Sequence, residues 1–183
     1  MVSPRERALD AAIDLTGTQG LRALTHHRVD DHAGLPRGSA SNYFRTRDAL
    51  LTATLERIAT LEQAQITPAA PPATPAQLTE LLAATIEHLT GPGRTTTTAR
   101  LVLFMEASHN PRLRDAIQTA RHRMEAAAIT MLAHLGAPDP ATAATAVMAC
   151  CEGLTLHRIG RHDTTDPRPA LTLTITAALT TRG

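Results

Sequence analysis

Apolar side chains recur along this chain every three or four positions, the spacing that gives a helix one apolar face. Leu9, Ala12, Ile13 and Thr16 make the first such face. Ser3-Pro4-Arg5-Glu6 in front of it reads as a capping box, with Ser3 as N-cap, Pro4 in the first turn and Glu6 reaching back. Gly17 and Gly20 read as its end. A short second helix opens at Leu24-Thr25 with Thr25 as N-cap, turns Val29 and Ala33 inward and stops at Gly34. A third short helix follows, with Pro36 at its N-terminus. Thr46 then caps a long fourth helix over about 47–63, whose inward face is Leu51, Leu55, Ile58 and Glu62, flanked by Leu50, Thr54 and Leu61.

The same grammar continues. The proline-rich stretch 67–73 cannot be helical and reads as a surface loop. Thr74-Pro75-Ala76-Gln77 is a second capping box, ahead of Leu78, Leu81, Leu82, Thr85 and Leu89. Gly91-Pro92-Gly93 ends that helix. The sixth helix carries Leu101, Phe104, Met105 and Ser108 on one face. Asn110-Pro111 opens a long seventh helix with a near-heptad stripe of Leu113, Ile117, Ala120, Met124, Ala127, Met131 and Leu135. Asp139-Pro140 and Asp166-Pro167 introduce two more. Residues 171–176 alternate like a strand, yet Leu171, Ile175, Ala178 and Leu179 also fit a helix. No partner strand exists elsewhere, and a lone strand is unstable, so a helix is expected. The fold class is therefore all-α, with about nine helices.

The third helix concentrates hydrogen-bonding groups: Arg37, Ser39, Ser41 and Asn42 stand together. Tyr43 and Phe44 beside them are two of only three aromatics in the chain. Helix, tight turn and short polar helix make a helix-turn-helix, whose second helix enters the major groove. A net charge of +1 is no nucleic-acid signature in itself. Any positive field must be focused, and Arg5, Arg37, Arg45 and Arg47 are placed for that, with His26, His27 and His32 adding charge at low pH. Arg37 suits a guanine edge or a phosphate, and Asn42 an adenine. Tyr43, Thr25 and Arg47 suit phosphates, and Gly38 brings backbone close.

Several of these positions agree with one known pattern. Ala11-Ala12 with Gly20, Leu24-Thr25, Ala33-Gly34-Leu35, Arg37-Gly38-Ser39, Phe44, and Arg47 with Leu50 and Leu51 together resemble the DNA-binding domain of TetR-family (tetracycline-repressor-like) transcription regulators. The chain departs from that pattern at Ser41, where the family often has Tyr, and at Tyr43, where it has His or similar. It departs again at Asp30, where a small apolar residue is usual. The resemblance implies a helix-turn-helix domain over 1–46 and a ligand-binding and dimerisation domain over 47–183. It implies a homodimer on a palindromic duplex operator, paired through the last two helices. Their small apolar faces, with Ala144, Val147, Leu154, Leu171, Ile175 and Ala178, are the expected contacts. It also implies a cavity for a small-molecule effector, walled by Leu82, Ile86, Phe104, Met105, Met124 and Leu154, with His109 as polar contact. No cofactor is expected.

Other classes find little support. No nucleophile elbow, phosphate loop or metal-ligand spacing occurs, so an enzyme is not expected. No apolar run approaches the ~20 residues of a membrane span, and the N-terminus reads as a capped helix rather than a signal peptide, so a cytoplasmic location is expected. Adjacent Cys150 and Cys151 point about 100° apart on a helix and are ill placed to bond each other. They read as small core residues or as a redox or soft-metal sensor. The rival to a ligand-released repressor is thus an orphan regulator answering to a protein partner or to cysteine oxidation.

Overall fold

A computed structural model describes residues 2–66 and 71–180, with no side-chain description for 64–66. Among the described residues there are nine α-helices and no strand: α1 (Pro4–Gln19), α2 (His26–Ala33), α3 (Ser39–Tyr43), α4 (Arg47–Ile66), α5 (Pro75–Thr90), α6 (Arg94–Glu106), α7 (Pro111–His134), α8 (Pro140–Gly160) and α9 (Arg168–Thr180). A 3-10 turn, Leu21–Ala23, joins α1 to α2. Segment 67–70 of the expected proline-rich loop lies outside the described residues. The last segment is the helix α9. No described helix is long and apolar enough to cross a membrane.

The chain forms two compact units, 1–65 with 93–120, and 66–92 with 121–183. The first unit therefore takes in α4, α6 and the start of α7 as well as the helix-turn-helix. The reason is packing. Leu50, Leu51 and Ile58 of α4 and Leu103 of α6 share one core with Leu9, Leu15, Leu24, Val29 and Phe44.

In that unit the α1 capping box closes in both directions, with Glu6 N–H donating to Ser3 Oγ and Ser3 N–H to Glu6 Oε2. Gly17 does not end α1. It lies inside the helix, where an added Cβ would stand 2.2 Å from the carbonyl oxygen of Thr95. Small residues thus let α1 and α6 approach closely, and this sets which face of α6 turns inward. That face is Thr97, Ala99, Leu103 and Ala107, not the expected Leu101, Phe104, Met105 and Ser108. Phe104 and Met105 are 45% and 67% exposed. Glu62 of α4 is buried and pairs with Arg100 of α6, Nε to Oε1 at 3.0 Å. Burial pushes its carboxyl above the ordinary value, and Arg100 pulls the other way. Asn110 caps α7, accepting from Leu113 N–H at 3.2 Å, and donates from Nδ2 to Asp48 in the first turn of α4 at 3.0 Å.

The second unit centres on Leu78, Ala83, Ile86, Leu132, Ala144, Val147, Leu171 and Ile175. Thr74 caps α5, but Gln77 reaches back to Ala73 N–H rather than to Thr74. Arg168 at the start of α9 reaches Glu80 and Glu87 of α5 and its neighbour Asp166. The expected α7 stripe holds at Leu113 and Ile117 and again at Met131 and Leu135 but fails at Met124 and Ala127, which are exposed, while Ala128 and Leu132 turn inward. A straight helix of 3.6 residues per turn drifts away from a seven-residue repeat. The residues expected at a dimer contact lie as follows within the single chain. Ala144, Val147, Leu171 and Ile175 are buried in the chain's own core, and Leu154 and Ala178 pack against it. They bury there because α5, α8 and α9 pack on one another within the unit.

Candidate nucleic-acid interface

The interface is built from a turn and two short helices. Thr25 is the N-cap of α2, its hydroxyl accepting from Arg28 N–H at 3.3 Å. α2 ends at Gly34, whose left-handed backbone turns the chain toward α3. Pro36 is not in the helix, contrary to expectation. It opens a turn that Ser39 N–H closes onto Pro36 O at 3.1 Å, with Arg37 and Gly38 at its centre. Gly38 has φ 90° and ψ −7°, the conformation a type II turn demands of its third residue. Only then does α3 begin, five residues long.

The polar side chains divide into those the fold uses and those it leaves outward. Ser39 Oγ donates to Pro36 O at 2.6 Å and Ser41 Oγ to Gly38 O at 3.0 Å. His26 Nε2 lies 2.6 Å from Phe44 O. A carbonyl only accepts, so Nε2 carries the proton and the ring ties α2 to the end of α3. His27 pairs with Asp31 at 3.2 Å, and His32 with Asp14 at 2.7 Å. Arg47 gives Nη1 to Leu24 O at 2.6 Å and Nη2 to Leu21 O at 3.1 Å, so its fork closes the end of the 3-10 turn. Arg5 sits over the Phe44 ring, 5.3 Å from its centroid. Arg37, Asn42, Tyr43 and Arg45 are exposed. Among the described residues, the side chains of Arg37, Asn42 and Arg45 have no hydrogen-bond or ion-pair partner.

One group central to the interface gave no sequence signal as such. Asp30, buried in α2, accepts from Gly38 N–H at 2.8 Å and Ala40 N–H at 2.7 Å. Its departure from the family pattern marked the position, not its task. The expected effector residues distribute over both units. Phe104, Met105 and His109 belong to the first, and Leu82, Ile86, Met124 and Leu154 to the second. Ile86 is buried in the second core, Leu82 and Leu154 pack against it, and Met124 is exposed.

Comparison with known proteins agrees with this geometry. Residues 8–54 match the family model of bacterial regulatory proteins of the tetR family. Residues 73–181 match that of the tetracyclin repressor-like C-terminal domain. No curated protein matches the sequence. Among solved structures, a transcriptional regulator from Rhodococcus sp. Rha1 has a TM-score of 0.83 at 22% identity, over 97% of this chain and 96% of its own. The multidrug binding protein EbrR complexed with ethidium has a TM-score of 0.79 at 25% identity, over 98% and 100%. A TetR-family member from Streptomyces coelicolor A3 has a TM-score of 0.77 at 24% identity, over 98% and 99%. With more than half its length matched by the C-terminal model alone, and a helix-turn-helix matched ahead of it, the chain belongs to the TetR family and is a DNA-binding transcription regulator.

Proposed function

We propose that the chain is a homodimeric repressor that leaves a palindromic duplex operator when a small molecule binds. The observation that carries the DNA half is the unspent set Arg37, Asn42 and Arg45, exposed around a helix whose two serines are tied internally. Arg37 and Asn42 read base edges, and Thr25, Tyr43 and Arg45 meet phosphates. His26 and Arg47 serve by holding the reading helix and its approach in place. The ligand half is supported by the likeness to EbrR, whose structures contain ethidium and, in another case, imidazole.

The division of labour proposed is DNA reading over 1–46, with effector binding and pairing behind it. Pairing uses the outward sides of α8 and α9, where Ala149, Leu156, Leu173 and Ala177 are exposed. For the effector, Phe104 and Met105 are exposed apolar side chains and His109 follows them in the chain. The oxidation-responsive alternative loses ground at Cys151, whose thiol burial pushes up to about 12, so almost no thiolate is present at neutral pH.

Selection of a duplex from a random pool by the full chain, followed by a small-molecule screen for release, tests the whole reading. Enrichment of an inverted-repeat sequence and release by at least one compound are expected. An enriched site without twofold symmetry, or one that no compound releases while oxidants do, would overturn it.

A further inference from the structure

We propose that Asp30 is the positioning residue of the reading head, fixing the angle of α3 and through it operator selectivity rather than general affinity for DNA. The inference rests on the DNA-reading role of Arg37 and Asn42 given above.

α3 has five residues, far short of the ~12–15 at which an isolated helix becomes even marginal in water. Its direction must therefore come from ties to other elements. Its N-cap is Gly38, which the positive φ of the preceding turn requires and which has no side chain to cap with. The missing acceptor arrives from another helix. Asp30 of α2 is 1% exposed, and its two oxygens take one N–H each, Oδ2 from Gly38 and Oδ1 from Ala40. Two bonds from one rigid carboxylate define a direction, where one would leave a pivot. The negative charge also faces the positive end of the helix. The backbone of the same residue is fixed as well, since Asp30 O accepts from Leu35 N–H at 2.9 Å. One turn earlier on α2, His26 holds the other end of α3 through Phe44 O. α2 thus grips α3 at both ends from positions i and i+4, which share a helix face.

Charge separates positioning from mere support. A carboxylate beside a DNA-binding face repels phosphate, so its removal leaves non-specific binding unchanged or tighter. Loss of the two bonds lets α3 pivot, and base contacts, which depend on angle, suffer. A residue that only supported the fold would weaken both kinds of binding together.

The test compares the full-length wild type, Asp30→Asn and Asp30→Ala on two probes: the duplex the wild type enriches from a random pool, and a shuffled duplex of the same length. Asn matches Asp in size but keeps one acceptor of two. The expected result is a selectivity ratio lowered on the order of tenfold in Asp30→Ala, less in Asp30→Asn, with shuffled-duplex affinity unchanged or raised. A ratio equal to wild type in both variants, or equal losses on both probes, overturns the positioning role alone. A wild type that enriches no duplex overturns the reading-head assignment and this inference with it. Amide exchange on the wild type gives a reading independent of how the variants fold. Gly38 and Ala40 N–H groups exchanging at open-loop rates would also overturn the proposal.

Discussion

At the scale of single residues, polar groups decide more here than their surface positions suggest. Arg47 stands at the start of a helix beside a DNA face, which from sequence alone reads as a phosphate contact. Its fork instead closes on two carbonyls, Leu24 O and Leu21 O. A lysine keeps the charge but not the planar fork. Arg47→Lys is therefore expected to lose about 1 kcal/mol of stability and to leave DNA affinity near that of Arg47→Ala. Urea denaturation and salt titrations of binding check this. If Lys restores both affinity and the salt slope, Arg47 acts as a phosphate contact.

Glu62 gives a pH-dependent prediction. Burial holds its carboxyl above the ordinary 4.5 despite Arg100. A group with a raised folded pKa binds its proton more tightly in the fold, so stability is lost as pH rises from 4.5 through the folded value. Relative to Glu62→Gln, the wild type should thus lose melting temperature as the pH rises above 4.5. A gap that instead moves in favour of the wild type over that range would show pairing with Arg100 outweighing burial. Neither partner choice was legible beforehand. The periodicity placed Glu62 on the inward face of α4, but only the fold brings Arg100 to it. Asp30 is the same case: a helix face and a pattern departure were visible, whereas the two N–H groups it accepts come from beyond the turn.

At the scale of elements, most caps could be read directly, because a cap is a local event. Ser3, Thr25, Thr46, Thr74, Asn110 and Asp139 all accept from the helix each precedes. What could not be read is which face of a helix turns inward when small residues govern the approach. On α6 the large side chains at 101, 104 and 105 drew the expectation, and Ala99, Leu103 and Ala107 took the core. The close approach at Gly17 explains why, and it is testable. Gly17→Ala places a methyl carbon 2.2 Å from Thr95 O, which no side-chain rotation relieves. A loss of about 1–3 kcal/mol by urea denaturation is expected, the usual range for overpacking. Gly38→Ala meets no such crowding but must hold φ near 90°. That costs about 1–2 kcal/mol, and it should weaken operator binding too because the turn sets where α3 starts. Wild-type stability in either variant would contradict the geometry described.

At the scale of the molecule, the family pattern anticipated the helix order and the helix-turn-helix, yet not which sides of α8 and α9 stay outward. Small residues along both helices suggested contacts to a second copy at Leu171 and Ile175. The chain uses those positions for its own core, Ile175 being 1% exposed. On the same helix Leu173, two positions away, is 74% exposed. The two substitutions therefore separate folding from pairing. Ile175→Glu buries an unpaired charge inside the subunit and is expected to unfold the second unit, a cost of several kcal/mol. Leu173→Glu leaves that core intact. In a twofold interface it would set two copies of a like charge against apolar surface, and so should yield folded monomers. Sedimentation at micromolar concentration with circular dichroism distinguishes these outcomes. Operator affinity should fall steeply in Leu173→Glu although the reading head is untouched, because a monomer holds one half-site and forfeits the joint contribution of two. If Leu173→Glu remains dimeric, pairing through the outward side of α9 is wrong. If the wild type itself sediments as a monomer, the dimeric repressor must be abandoned along with it.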